Sequence, residues 1–437
     1  MRLYRFSLPV LLAAIIFTAP VQASIVGNGT PGSCTESALD TALSGGGIVT
    51  FDCGAALHTS TLTSEKVLSQ ATQIDGAGRI RLDAQGTSRH FVLSSAANYI
   101  LAGLTLINGR AANADGGSVY VAGATLLMNK VSLLDNLAET AVLGGGRGGA
   151  IFARDNAQLT LSEVTAAGNH ANSGGVIFTQ AGTSLWLSEF VADTNHANDE
   201  GGAISHRGSA LTVVSSLFVG NFLQDAGGVG GAIQITQSGS SLRIANSTFY
   251  GNAAGAAGSA LSAAKLSSNG IIDNSTFSGN VGPSAIAAWT DATLILRNTI
   301  MSSDPLVDQN CFIGSGAITD GGHNLQFGSA AAQSCGASIP VSNPLLAPLA
   351  NNGGYSYTMA LQAGSPAVDA GSGCEAMDQR LVARPIGPAC DIGAFEAPLG
   401  APPSNGAVAV PALDWVGLIA LCALLAGLGA VHRRKFG

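Results

Sequence analysis

The chain has 437 residues, of which 58 are glycine, 46% are hydrophobic and only 11% are charged. Average chains carry about 25% charged residues, so we expect an elongated shape that covers its surface with small polar residues rather than a compact globule. The net charge of -8 argues against a nucleic-acid partner, because binding phosphates requires clustered lysine and arginine.

The N-terminus has the pattern of a secretory signal peptide, which we assign to residues 1–23. Arg2 and Arg5 precede an apolar stretch at residues 8–17, and Val21-Gln22-Ala23 supplies the small residues of a cleavage site. We therefore expect an exported protein whose mature chain begins near Ser24.

Six of the seven cysteines fall into three pairs that are close in sequence, and the seventh, Cys422, lies in an apolar segment. The pairs are Cys34 with Cys53, Cys311 with Cys335, and Cys374 with Cys390. Local pairs in an exported chain suggest disulfides, although sequence alone does not fix their connectivity. Metal ligation is the alternative, but no Cys-x-x-Cys occurs and no histidine has ligand spacing from these cysteines. We predict no metal site among them.

Residues 24–46 are predicted to form an N-terminal cap. The segment Ser33-Cys34-Thr35-Glu36 has the form of a capping box, and an apolar helical stripe follows at residues 38–43. Glycines at 45–47 end this helix, and residues 48–51 are predicted as a strand. A stack of rungs leaves its first rung with an apolar end and an open edge, which such a cap covers.

Residues 116–286 contain a repeat that begins with two glycines and an apolar pair. Good copies start at Gly116, Gly148, Gly174, Gly201 and Gly230, and weaker ones at Gly258 and Pro283. Between the copies an asparagine recurs, at Asn136, Asn169, Asn195, Asn221, Asn252 and Asn280. A period between about 20 and 50 residues indicates a solenoid.

Aligning the chain on these asparagines produces three aliphatic columns. They contain Leu126, Leu159, Leu185, Leu211 and Leu242; Met128, Leu161, Leu187, Val213, Ile244 and Ile272; and Val119, Ile151, Ile177, Ile204, Ile233, Leu261 and Ile286. A mixed set lies between the first two, which is the period-two alternation of strands with one buried face. No helical pattern separates the strands. We predict an all-β chain whose residues 47–310 form a single-stranded parallel β-helix of roughly ten rungs.

The asparagine column is interpreted as structural. Asparagine tolerates tight turns, and its amide can bond the asparagines above and below. The sequons at Asn246 and Asn274 fall on repeat positions, so repetition explains them better than glycosylation does.

The turn between each asparagine and the next glycine pair varies in length, and insertions in repeat proteins collect on the binding face. We predict this edge, from Asn136 to Gly231, as the candidate ligand site. Its members are Glu139, Arg147, His170, His196, Asp199, Glu200 and Asp225. Solvated turn residues are the plainer interpretation. No cofactor is predicted, although the acidic side chains leave Ca²⁺ open.

The periodicity fades after Cys311, and residues 311–397 are predicted as a C-terminal cap. Residues 398–409 form a Pro-rich linker. The apolar run at 415–431 is followed by a basic tail, which predicts a C-terminal transmembrane helix with the β-helix outside the membrane.

Three parts of the chain resemble known families. The Gly-Gly-Ala-Ile phrase, with Phe218-Val-Gly-Asn and Phe249-Tyr-Gly-Asn, resembles the repeats of polymorphic outer membrane proteins. Those repeats imply a right-handed β-helix of the pectin-lyase-like type on the cell surface.

The motif at 364–371, with Asp378-Gln-Arg380, Arg384-Pro and 390–396, is similar to the choice-of-anchor Q domain, which implies an anchored protein and no catalysis. Its arginines and acids are interpreted as an ion-pair and disulfide knot that closes the C-terminal end.

Residues 410–437 resemble an IPTL-CTERM sorting signal. The resemblance is carried by Val410, Pro411, Leu413, Trp415, Arg433 and Arg434. It implies cell-envelope sorting machinery as a partner and a location at the surface or outside of a Gram-negative cell.

These observations predict a noncatalytic exported surface protein, adhesin-like or binding a glycan or matrix polymer. The alternative is a polysaccharide lyase or glycoside hydrolase of the same fold. A hydrolase needs paired carboxylates, and the outward strand positions contain none, so we predict no catalytic residues. The ligand, the oligomeric state and the cleavage of the tail are not determined by the sequence.

Overall fold

The computed structural model describes residues 23–140, 145–303, 309–328 and 332–399. They form a parallel β-solenoid of about 11 turns. The described residues contain one α-helix, Glu36–Leu43, and two 3-10 turns, Pro31–Ser33 and Ala332–Cys335. The prediction of a parallel all-β solenoid is therefore confirmed, and its right-handedness stays a prediction.

The turns contribute strands to three parallel sheets, which we name A, B and C, and five of the described turns contribute to all three. Sheet A receives two short strands per turn, one on each side of a bend. Its strands are Ala23–Gly27, Gly47–Asp52, His58–Thr61, Thr72–Asp83, Asn98–Ile107, Thr125–Asn129, Ser132–Leu134, Gln158–Ser162, Thr165–Ala167, Ser184–Ser188, Val191–Asp193, Ala210–Val214, Leu217–Val219, Ser241–Ala245, Thr248–Tyr250, Gly270–Asp273, Thr276–Ser278, Thr293–Arg297, Ile300–Ser302, Ala317–Asp320 and Leu325–Phe327.

Sheets B and C complete the turn. Sheet B consists of Lys66–Leu68, Phe91–Leu93, Val119–Ala122, Ile151–Arg154, Ile177–Thr179, Ile204–His206, Ile233–Ile235, Leu261–Ala263, Ser284–Ala288 and Gln309–Ile313. Sheet C consists of Arg110–Ala112, Leu137–Glu139, His170–Ser173, His196–Glu200 and Phe222–Leu223. Paired strands of sheet A extend past both limits of the predicted range 47–310, to Ala23–Gly27 and Leu325–Phe327.

The core includes the three predicted columns, and all of their members are buried. The register matches the alignment, because Leu159 pairs with Leu126 on one side and Leu185 on the other. Identical aliphatic side chains thus stack along the axis, and each rung buries the apolar face of its neighbours.

The predicted asparagine ladder is confirmed, but the tight-turn geometry that we expected at its asparagines is adopted by the preceding residue. The residues before Asn136 and Asn169 have positive φ, 51° at Asp135 and 65° at Gly168. In the ladder, the Asn136 Nδ2 donates to Asn169 Oδ1 at 2.8 Å, and the next rung repeats the contact. The amide groups are fully buried, so the ladder satisfies polar groups inside the rod.

The paired glycines have different roles. Gly148 has a φ of +67°, which L side chains rarely adopt. A Cβ at Gly149 would lie 2.1 Å from the carbonyl oxygen of Gly175 on the next rung. The first glycine therefore makes the bend, and the second lets neighbouring rungs approach.

The N-terminal cap contains the predicted helix, but the predicted capping box is wrong. Thr35 is the N-cap, and its hydroxyl accepts from the Ala38 N–H at 3.2 Å. Ser33 lies in the preceding 3-10 turn. Glu36 bonds outward instead of back to the helix, and forms a 2.6 Å ion pair with Lys66. This ion pair fastens the helix to the solenoid.

All three predicted cysteine pairs form disulfides: Cys34–Cys53, Cys311–Cys335 and Cys374–Cys390. The second of them tethers the 3-10 turn Ala332–Cys335 to the last strand of sheet B. Disulfides persist in oxidising compartments, so these bridges suit an exported protein.

The C-terminal segment, residues 343–397, packs along the flank of sheet A, so the prediction that its knot closes the end is wrong. Gln379 accepts a 2.6 Å hydrogen bond from Thr248, and the Ala394 N–H donates to Thr276 at 3.0 Å. Ile300 and Leu325 of sheet A form a small core with Phe395. The segment thus covers outward positions on several successive rungs.

Among the residues described, no helix is long and apolar enough to cross a membrane. The predicted signal peptide lies outside the described residues except for Ala23. The predicted linker, sorting signal and transmembrane helix also lie outside them, apart from residues 398 and 399.

Candidate functional site

The edge predicted as variable turns is the third parallel sheet, sheet C, so the turn assignment is wrong. His170 and His196 both lie on its strands, directly in register with each other. The next rung places Phe222 beside His196. The sequence missed this sheet because its strands are short and their inward residues are mostly alanine, which gives a weak strand signal.

The outward side chains of sheet C form a ring column, which consists of His170, His196 and Phe222. The two imidazoles stack with their centroids 4.0 Å apart, and the His196 ring lies 4.9 Å from the Phe222 ring, within 5° of parallel. Burial, followed by the nearby His170, lowers the pKa of His196 to about 4. His196 is therefore a neutral ring at neutral pH.

An amide row runs beside the ring column. The Asn198 Nδ2 donates to Asn172 Oδ1 at 2.9 Å, and a ring nitrogen of His170 lies 3.2 Å from Asn198 Oδ1. These groups are half-buried. The row thus presents one amide on each of two adjacent rungs.

Two charged members of the predicted edge, Arg147 and Glu200, are each held in an ion pair. Arg147 holds Asp115 through two nitrogens, at 3.1 and 2.6 Å, and its guanidinium covers the ring of Phe152 on sheet B. Glu200 pairs with Arg207 at 2.6 Å. Both contacts neutralise the charged group and cover the aromatic face of sheet B, which is a structural role.

The three remaining acids of the edge are exposed: Glu139, Asp199 and Asp225. Asp199 accepts a 2.7 Å hydrogen bond from Ser173. Partial burial, reinforced by Glu200, raises the pKa of Asp199 despite that bond. Among the described residues, the single group of three side chains at metal-ligand distance is Cys34, Cys53 and His58, and both cysteines are in a disulfide.

A second cluster lies at the bend of sheet A, outside the predicted ligand edge. Lys130, Glu163 and Glu189 occupy the same bend on three successive rungs, each with a φ between 50° and 55°. The Lys130 Nζ lies 3.8 Å from Glu163. Burial, with a further contribution from Glu163, raises the pKa of Glu189. The signal was present, because each of these residues lies two positions after a member of the second aliphatic column.

The ion pairs of the C-terminal segment are structural, as expected from the sequence. Arg384 and Glu396 pair at 3.0 Å with side chains that are each 1% exposed, and Arg380 holds Asp378 at 2.6 Å. Glu396 also accepts from the Asp391 N–H. Groups so enclosed have no access to a substrate.

Two histidines lie in the interior of the solenoid. A ring nitrogen of His90 is 3.0 Å from the carbonyl oxygen of Leu82, and His206 lies 2.8 Å from the Thr179 hydroxyl. Burial lowers the pKa of each to about 4. They belong to the core and not to a surface site.

A scan of the chain against models of protein families found no match, and a search of the curated proteins found no relative. The chain's function is therefore argued from its fold and its side chains.

Proposed function

We propose that the protein is a noncatalytic exported surface protein that binds a glycan or matrix polymer. The observation that carries the proposal is the regular surface of sheet C. The ring column presents one ring on each of three successive rungs and the amide row one amide on each of two, about 4.8 Å apart. A polymer with a repeating unit can make the same contact on successive rungs, whereas a small substrate needs groups that converge on one point.

The pairing of charges supports binding over catalysis at this edge. Arg147 and Glu200 are engaged by Asp115 and Arg207. A hydrolase or lyase needs a free base and acid that face one substrate atom. The remaining groups are rings and amides, which provide hydrogen bonds and contact area, and the exposed acids Glu139, Asp199 and Asp225.

Export and anchoring are part of the proposal. The three disulfides suit an oxidising environment. The resemblances to the choice-of-anchor Q domain and to an IPTL-CTERM signal support attachment or sorting at a Gram-negative envelope. Cell fractionation of the expressing bacterium, with and without residues 410–437, tests this part. Equal surface display without those residues would contradict it.

The test of the main proposal is a glycan and matrix binding array with the purified chain, with and without Ca²⁺. We expect binding to a polymer, and weaker binding when His170 and His196 are both replaced with alanine. Asp291→Asn, at an exposed bend away from sheet C, is the control. Absence of binding to any glycan or matrix component would refute the proposal.

The alternative is a polysaccharide lyase or glycoside hydrolase, and one observation favours it. Glu163 and Glu189 lie on neighbouring rungs next to Lys130, and paired carboxylates are the requirement of a hydrolase. Incubation with a glycan panel tests for it. Release of reducing or unsaturated sugars, abolished by Glu189→Gln, would establish the enzyme and exclude the noncatalytic function.

A further inference from the structure

Trp186 is an exposed aromatic platform on sheet A. Its side chain is 40% exposed on the outward face of the strand Ser184–Ser188. Its neighbours in register on adjacent rungs are Thr160 and Thr212. A threonine is too short to cover an indole ring. The ring is therefore left open for a ligand, and its π-electron face attracts the C–H groups of a sugar.

The bend beside this platform carries an uncompensated negative charge. Trp186 is three residues before Glu189, or at most about 10 Å along the chain. The Lys130 Nζ lies 3.8 Å from Glu163, while no described side chain bonds or ion-pairs the Glu189 carboxylate. Two carboxylates therefore share one lysine. A half-buried carboxylate without a partner gains free energy from a cationic ligand.

The C-terminal segment places a second exposed aromatic side chain, Tyr355, on the other side of the bend from Trp186. Tyr355 is 37% exposed, and its hydroxyl lies 3.2 Å from the Thr165 hydroxyl, across 190 residues of sequence. Burial raises the pKa of the Tyr355 phenol, and the nearby Glu163 and Glu189 raise it further. The carboxylates thus lie at the bend between the strand that carries Trp186 and the strands beside which Tyr355 is docked.

We propose that the corner formed by Glu163 and Glu189, with Trp186 beside it, binds a glycan that carries protonated amino groups. One sugar ring stacks on the indole, and the ammonium group of a neighbouring sugar pairs with the carboxylates. A uronate polymer does not fit, because it brings more negative charge to the same corner. This inference rests on the proposed glycan binding and adds to the sheet C surface a second contact site, on the flank of sheet A, with a substrate class.

The test compares three probes by calorimetry on the purified chain: a partially deacetylated chitosan oligosaccharide, the fully N-acetylated oligosaccharide of equal length, and an oligogalacturonate. We expect the chitosan to bind and the oligogalacturonate not to bind. Glu189→Gln keeps the shape of the side chain and removes its charge, so it should weaken chitosan binding roughly tenfold to a hundredfold. Trp186→Ala should weaken both amino and N-acetylated probes.

Asp225→Asn removes an exposed carboxylate from the sheet C edge and separates the two surfaces. Asp291→Asn, at an exposed bend outside both surfaces, is the control and should leave chitosan affinity unchanged. Circular dichroism confirms that each variant is folded. If chitosan affinity depends on Asp225 and not on Glu189, the glycan binds at sheet C, which overturns this inference and leaves the proposed function standing. If chitosan does not bind while another glycan does, the amino-sugar assignment is overturned alone. If no glycan or matrix polymer binds, both fail.

Discussion

Replacing Asn195 with alanine tests whether the buried asparagine ladder holds the corner of the solenoid together. The Asn195 Oδ1 accepts from the backbone N–H and the Nδ2 of Asn169, at 3.0 and 2.9 Å. Its Nδ2 donates to the carbonyl of Ala166 and to Asn221 Oδ1, at 2.9 and 3.0 Å. The substitution removes four hydrogen bonds in a fully buried position.

The magnitude follows from the groups that remain. The backbone N–H of Asn169 loses its partner, and the two neighbouring amides and the Ala166 carbonyl each lose one bond. A buried polar group left unsatisfied costs about 1–3 kcal/mol, so we expect Asn195→Ala to lower the free energy of unfolding by about 3–6 kcal/mol. Asn280→Ala should cost somewhat less, because Asn280 also accepts two bonds, from Asn252, but among the described residues donates only one, to the Phe249 carbonyl.

The assay is urea unfolding of the purified chain, followed by circular dichroism, with Gln158→Ala as the control. Gln158 is an exposed amide side chain on sheet A, and its loss should change stability by less than about 0.5 kcal/mol. A loss for Asn195→Ala of under about 1 kcal/mol, no larger than a single net hydrogen bond, would refute the reasoning. It would mean that the sheets alone hold the corner.

Three further predictions concern the buried histidines, the buried ion pair of the C-terminal segment and the N-terminal disulfide. The pKa values of His90 and His206 are about 4 in the folded state, below the unfolded value of about 6.5. Between these two pH values the unfolded chain therefore binds more protons than the folded chain does. The free energy of unfolding should be highest above about pH 6.5, and at pH 5 each histidine should lower it by about 2 kcal/mol. Urea midpoints at both pH values measure this loss, and His206→Leu should make the dependence of stability on pH shallower. Arg384→Met leaves a buried carboxylate unpaired, so it should lower the free energy of unfolding by about 3–5 kcal/mol. Hydrogen exchange in the C-terminal segment should become faster, and unchanged exchange would contradict this prediction. Replacing both Cys34 and Cys53 with serine should lower the free energy of unfolding by about 3 kcal/mol. Limited proteolysis should then cut first at the N-terminal helix, and cleavage that begins elsewhere would argue against a role of this disulfide in the cap.

The regular part of the fold was predictable because its interactions repeat. Leu159 and Leu185 are equivalent in sequence, and a parallel register makes equivalent residues neighbours in space. The same rule placed Asn169 against Asn195 in the ladder. It also applies to Glu163 and Glu189, but these lie at bends, outside the outward strand positions from which paired carboxylates were predicted to be absent.

The sequence by itself determined the solenoid, its three columns, its asparagine ladder and its cysteine pairs, since each of these depends on contacts that are periodic or local. The tertiary structure decided where the C-terminal segment lies. Tyr355 meets Thr165, and Gln379 meets Thr248, through contacts that occur once and leave no period in the sequence. The position of Tyr355 beside the proposed glycan corner depends on these unrepeated contacts, so only the tertiary structure shows it.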